Sequence, residues 1–422
     1  MNITKQQKDS AGKFVKAQDM SALVNELVCE DGFYHPNLGG ITRGGMANHF
    51  PMTIIALHGL GGTDEDITRF TNSWPRHRAR IHEDLSLADS QTLNSDNWTE
   101  YLGQDQYLTE FKRVFLNELN RNDTSMEFVG HALNEMKNGL PMGLFHPVIR
   151  LSFALMHGDK GLVADALAYM GIRYFDLYGP VQTSGMQTKT EQAISEQKSP
   201  AKIHTAITAS QVWQQLQANA KSIKIKGDIY GGSLHIGELL CGEADIQQRA
   251  LLAEFEITPE NLTTRMQQIC ESATGLYLQE PALTTLHGVT AAQALVDITQ
   301  RAQNKNLNTE VYIALWQRYW IWLSGLYLEK GSVVSLPSLN DQQQIDLQKI
   351  NWHTLSDAAR KTTEVHLIKM VFTCKWLYEQ LNTSDMPNGE SNGESNELYK
   401  AAAMNALSQH RLLPSPLQAI RF

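Results

Sequence analysis

Cysteine is scarce: four in 422 residues, Cys29, Cys241, Cys270 and Cys374, far apart and without a CxxC pair. That spacing excludes a disulfide-dense scaffold and reads as reduced thiols. Runs of basic residues are missing too, and a formal net charge of -9 argues against nucleic acid as the main partner. The longest oily stretch, Val311 to Leu328, is interrupted by Gln317 and Arg318, so no segment of the sequence is apolar enough to cross a membrane. The opening residues are polar and mixed in charge, without the apolar centre of a signal peptide. A cytoplasmic protein is expected. No G-x-G-x-x-G stands between a strand pattern and a helix pattern, which removes the usual nicotinamide or flavin fingerprint. Alternating β-branched runs are also few, so sheet-based folds have little support.

What is present is helix. Good helix formers recur at three- and four-residue spacing from Ser21 onward, and the pattern predicts helices near 18–29, 48–60, 65–84, 104–121, 126–139, 146–157, 161–177, 208–219, 244–256, 258–273, 281–303, 307–330, 354–382 and 396–408. The expected fold is all-α, one large helical bundle over residues 1–422, with at most a minor β hairpin at Ser222 to Tyr230. Its 42% hydrophobic content supplies a substantial core. Two polar segments, 179–202 and 386–396, read as exposed loops, and neither separates two independent cores.

Histidines occur where interior helices start. Asn48-His49-Phe50-Pro51 opens one apolar pattern, with Asn48 suited to the N-cap and Pro51 to the first turn. Phe145-His146-Pro147 opens another, followed by Val148, Leu151 and Leu155. His287 lies among Leu283, Leu286, Ala291 and Ala294, and His366 in the oily segment Val365 to Phe372. Singly, each suits a core histidine bonded to a backbone carbonyl. As a set, four imidazoles of interior context could converge from separate helices on a metal, since neutral imidazole is the commonest ligand for transition metals. His58, nine residues beyond His49, points away from it. The others, His157 and His353 among them, read as surface or capping residues.

Lys369 follows His366 by three residues and so shares its helix face. It either snorkels its charge to water or is buried, and a buried ammonium loses its proton readily, leaving an amine that can react with carbon dioxide to form a carbamate. The tryptophan-rich stretch 311–328 reads as packing, although it could line an aromatic pocket.

Two other function classes find some support. Ile54 to Thr63 imitates a strand and an HG oxyanion loop of a serine hydrolase, but Gly231-Gly232-Ser233-Leu234-His235 departs from a nucleophile elbow, and Gly59, Gly61 and Gly62 read better as a helix C-terminus. A helical protein that binds an aromatic ligand without turning it over would keep the tryptophans and need no metal.

The sequence resembles the questin oxidase-like family: N-H-x-P at Asn48 to Pro51, F-H-P-x-I at Phe145 to Ile149, L-H-x-V-T-A-A-x-A-L at Leu286 to Leu295 and H-x-x-K at His366 to Lys369 stand in the expected order. The resemblance implies an oxygenase that uses O2 for Baeyer–Villiger-like oxidation or ring cleavage of a small aromatic polyketide or hydroquinone. It also implies non-haem Fe(II) held by His49, His146, His287 and His366, with a CO2-derived carbamate on Lys369. Four neutral imidazoles would leave Fe(II) at +2, and one carbamate lowers the site to +1. Any NADPH requirement would then fall to a separate reductase partner.

Overall fold

The computed structural model describes residues 20–39, 46–74, 81, 93–121, 125–177, 207–219, 252–330, 347, 350–381 and 393–413. Local chemistry sets many helix starts. The Ser21 hydroxyl accepts from the Val24 N–H and opens α1 (Ala22–Asp31). Thr63 and Asp66 form a reciprocal capping box at α3 (Asp64–Ser73), and the Asp159 carboxylate accepts from Leu162 at the start of α7 (Lys160–Arg173). Side-chain capping recurs late in the chain, where Asn351 accepts from Thr354 at α12 (Trp352–Arg360).

The remaining helices are α2 (Phe50–Gly59), α4 (Leu108–Arg121), α5 (Ser125–Met136), α6 (His146–His157), α8 (Ala209–Asn219), α9 (Leu262–Gln279), α10 (Leu283–Asn304), α11 (Glu310–Lys330), α13 (Val365–Leu381) and α14 (Gly393–Gln409). The described residues include an isolated antiparallel bridge between Asn37 and Ala47 but no strand. The fold is all-α, as the periodicity requires. No helix among the described residues is long and apolar enough to cross a membrane.

One connected apolar core joins these helices, running from Val24 on α1 to Leu407 on α14. α6 packs on α7 and α10, α10 on α13, and α13 on α2 and α14. The α2–α13 contact is close at Gly59, where a Cβ would lie 2.4 Å from the Phe372 ring. Phe372 in turn packs on Phe153 of α6, with ring centroids 5.3 Å apart. The tryptophan-rich α11 is packing: Trp316, Trp320 and Trp322 are buried, and Trp213 of α8 stacks on Trp320 at 5.6 Å with an interplanar angle of 4°.

Some boundaries differ from expectation. The segment expected as one helix over 354–382 is two, α12 and α13, separated by a short break at 361–364. Glu364 ends that break, its carboxylate accepting from the Leu367 N–H at 2.7 Å. The helix expected over 65–84 stops at Ser73, where Trp74 turns extended. The 386–396 loop is already helical from Gly393. The 179–202 loop, the Ser222–Tyr230 strand and most of the 244–256 helix lie outside the described residues. The segment Ile54 to Leu57 is buried helix, so the resemblance to a strand and oxyanion loop does not hold; Gly61, at φ +77°, ends the turn after α2.

Candidate metal centre

His49 is the N-cap of α2, one residue later than the sequence suggested. The Asn48 side-chain oxygen, one residue before that cap, accepts from the Phe50 N–H at 3.2 Å. The Asn48 amide also donates to Asp31 at 2.9 Å, and Arg150, one turn beyond His146 on α6, donates to the Asn48 carbonyl at 3.4 Å. Arg150 reaches Asp31 at 3.1 Å and Asp165 at 2.7 Å, and Lys112 completes the group at 3.3 Å from Asp165. Burial would push the Asp165 carboxyl up, but the charges of Arg150 and Lys112 outweigh it and hold it below its ordinary value. This buried network locks the entrance of α2 to α1, α6 and α7.

His146 arrives by a strained route. Gly143, Leu144 and Phe145 have φ of 64°, 53° and 60°, a left-handed turn that two of the three residues adopt at a cost. Phe145 is held there by burial against Trp322 and Tyr319, with ring centroids 4.6 and 5.5 Å away. The turn aims the Gly143 carbonyl at the ring that follows, and His146 Nδ1 lies 2.5 Å from it. His287 repeats the arrangement within a regular helix, with Nδ1 2.7 Å from the Leu283 carbonyl. Ser152 of α6 donates to Asp297 of α10 at 2.9 Å, and Tyr319 donates to the Gly288 carbonyl at 2.6 Å, so both helices are fixed beside their histidines.

A carbonyl can only accept, so His146 and His287 each carry a proton on Nδ1 and a lone pair on Nε2. Those two Nε2 atoms face each other at 3.0 Å. His146 Nε2 is also 3.1 Å from His49 Nε2, and one ring nitrogen each of His49, His287 and His366 lie within 4.8 Å of one another. Burial first, then the Lys369 charge, pushes His146 down to about 3. Burial likewise drives His49 and His287 well below their ordinary value, with Lys369 and His146 as the largest charge contributions respectively. At neutral pH these imidazoles are uncharged, with no proton available to bridge His146 and His287. Two lone pairs at contact distance repel unless a cation lies between or beside them, and that is the donor arrangement of a metal site.

Lys369 is fully buried, and its Nζ is 2.6 Å from His49 Nδ1. Burial lowers its pKa to about 7, with Glu364 partly opposing the shift. The snorkelling alternative is therefore excluded by the geometry. His366 is the least buried of the four rings, its side chain 24% exposed, and its Nδ1 lies 3.0 Å from Glu364. All five residues singled out in the sequence thus come together from α2, α6, α10 and α13.

A model of the questin oxidase-like family matches residues 46–374. The chain belongs to that family. The questin oxidase-like match begins just before Asn48 and ends beyond Lys369, so it takes in all four histidines and the lysine. Membership marks the chain as an oxidoreductase of the oxidase or oxygenase kind. No curated protein matches the chain.

Other histidines fall elsewhere. His353 is exposed and 3.4 Å from Asp357, as a surface residue should be. His35 and His157 are buried, against the expectation of surface positions. His35 Nδ1 accepts from the Asn37 N–H at 3.0 Å, and among the described residues neither ring nitrogen of His157 has a hydrogen-bond partner. Sequence reasoning assigned no role to Glu364 or Arg150. Glu364 was missed because one continuous helix was expected over 354–382, which hid the helix start at Val365. For Arg150 there was no local signal, because its partners lie 119 and 15 residues away in the chain.

Proposed function

We propose that the protein is a non-haem iron-dependent oxygenase acting with O2 on a small aromatic polyketide or hydroquinone. The observation that carries this reading is the pair of Nε2 lone pairs facing at 3.0 Å, with His49, His366 and Lys369 gathered around them. Four imidazoles and an oxygen donor suit Fe(II), and bound iron would supply the one-electron chemistry that lets an organic substrate react with O2. His49, His146, His287 and His366 would hold it.

Lys369 supplies the oxygen donor as a carbamate. A pKa near 7 leaves a large neutral fraction at physiological pH, and only the neutral amine attacks carbon dioxide. The amine nitrogen bonds to the carbon of CO2 and gives up one proton to solvent, leaving an anion that a dication held by the four imidazoles would stabilise. A cytoplasmic setting and a separate NADPH-dependent reductase fit this chemistry.

Metal analysis tests the proposal. Protein purified without chelator should contain about one iron per chain, or take it up on reconstitution, and 13C-bicarbonate should label Lys369 in the loaded protein. Absence of stoichiometric iron or any other transition metal after reconstitution would sink the oxygenase reading and leave a helical binder of aromatic ligands.

A further inference from the structure

Three of the four rings are fixed by elements buried with them, but His366 is not. His146 and His287 donate hydrogen bonds from Nδ1–H to the backbone carbonyls of Gly143 and Leu283, and His49 faces Lys369. His366 sits in the first turn of α13 at the solvent-reached edge of the cluster, its side chain 24% exposed. Its Nδ1 partner is a carboxylate. Glu364 divides its two oxygens: Oε1 lies 3.0 Å from His366 Nδ1, and Oε2 accepts from the Leu367 N–H at 2.7 Å. The residue's own N–H donates to the Thr362 hydroxyl at 3.1 Å, which fixes the backbone from which the carboxylate is presented.

We propose that Glu364 is a positioning residue that accepts a hydrogen bond from Nδ1–H of His366, directs the Nε2 lone pair inward and places a negative charge beside the donor set at its exposed edge. The proposal rests on the metal reading above. A carboxylate on the far nitrogen of a metal-bound histidine fixes its tautomer and ring orientation and raises its basicity. At His146 and His287 a backbone carbonyl does the first two tasks. At His366, where solvent competes for Nδ1, an anionic acceptor is needed to hold the same tautomer. Because the same carboxylate caps α13, formation of the helix start and presentation of the ring are one event.

Capping and positioning can be separated by substitution. Aspartate is a preferred N-cap but is one methylene shorter, so E364D keeps a cap on α13 while drawing the carboxylate back from His366. E364Q keeps the length and an acceptor oxygen for His366 Nδ1. Affinity for Co(II), measured by competition with a chromophoric chelator on the full chain, should fall by about 10- to 100-fold in E364A and E364D. E364Q should lie closer to wild type than E364D does. The visible Co(II) spectrum should change in E364D, while the melting temperature of the metal-free protein stays near wild type.

Wild-type affinity and an unchanged Co(II) spectrum in E364D would overturn the proposal alone, leaving Glu364 a helix cap. A wild-type protein that takes up no Co(II) and no iron would overturn the metal reading, and this proposal with it. Should E364A fail to fold, E364D and E364Q decide the matter.

Discussion

Lys369 is a residue at which the chain accepts a clear local penalty. Its ammonium is wholly buried against an imidazole, and its pKa falls from 10.5 to about 7 because burial outweighs the distant help of Glu364. The sign of the consequence follows from proton binding. Between the two values the unfolded chain holds a proton that the folded chain has released, so folding stability rises with pH across that window. Below about pH 7 both states are protonated and the burial penalty is fully present. In metal-free protein kept free of carbon dioxide, K369M should therefore be more stable than wild type near pH 7, and the difference should shrink as pH rises toward 10.5. Urea denaturation at both ends of that range measures it. A difference independent of pH would mean that Lys369 is not desolvated as the structure places it. The spacing of His366 and Lys369 was legible in sequence because it is a local, helical relation. Burial of the amine was not, since the same four carbons could have carried it to water.

Each histidine is delivered by an element whose position is fixed several residues away from the ring. α2 is held by the buried charges of Asp31, Arg150 and Asp165, α6 by the left-handed turn at 143–145, α10 by Ser152 and Tyr319, and α13 by Glu364. The Arg150 group makes the clearest test. Its guanidinium spans two carboxylates and the carbonyl of Asn48, the residue next to His49, and it is only 3% exposed. Replacing it with methionine keeps much of the volume and withdraws the positive charge from two buried acids. Breaking such a pair costs about 3–5 kcal/mol, because the remaining charge stays in a poorly solvating interior. R150M should show that loss in chemical denaturation and bind iron or Co(II) more weakly, through the entrance of α2. A loss under about 1 kcal/mol would indicate that water or neighbouring groups solvate the acids. The helix at 146–157 is predicted to the residue, since proline and glycine mark its ends. The turn that feeds it was not foreseeable. Leu144 and Phe145 have no intrinsic preference for positive φ and adopt it only because Phe145 is anchored against α11.

At the scale of the molecule, the all-α class and most helix positions followed from the three- to four-residue periodicity, while the meeting of α2, α6, α10 and α13 at one point did not. Contacts between His49 and Lys369 bridge 320 residues, and only the family resemblance carried information over such separations. The site therefore joins segments from both ends of the described chain, and at its centre His146 and His287 are buried, neutral and mutually repelling without a cation. Whatever binds there stabilises the whole fold, because the unfolded chain cannot assemble the same donors. A metal present at about one hundred times its dissociation constant contributes about 2.7 kcal/mol by mass action. Chelation of the loaded protein should accordingly lower the melting temperature by several degrees, and hydrogen exchange should quicken first at the N-terminal turns of α2 and α13, where His49 and His366 lie. Restoring Fe(II) should reverse both. If metal is removed, by direct analysis, and neither the melting temperature nor the exchange of those turns moves, the four helices are held together by packing alone and the histidines are not the links proposed for them.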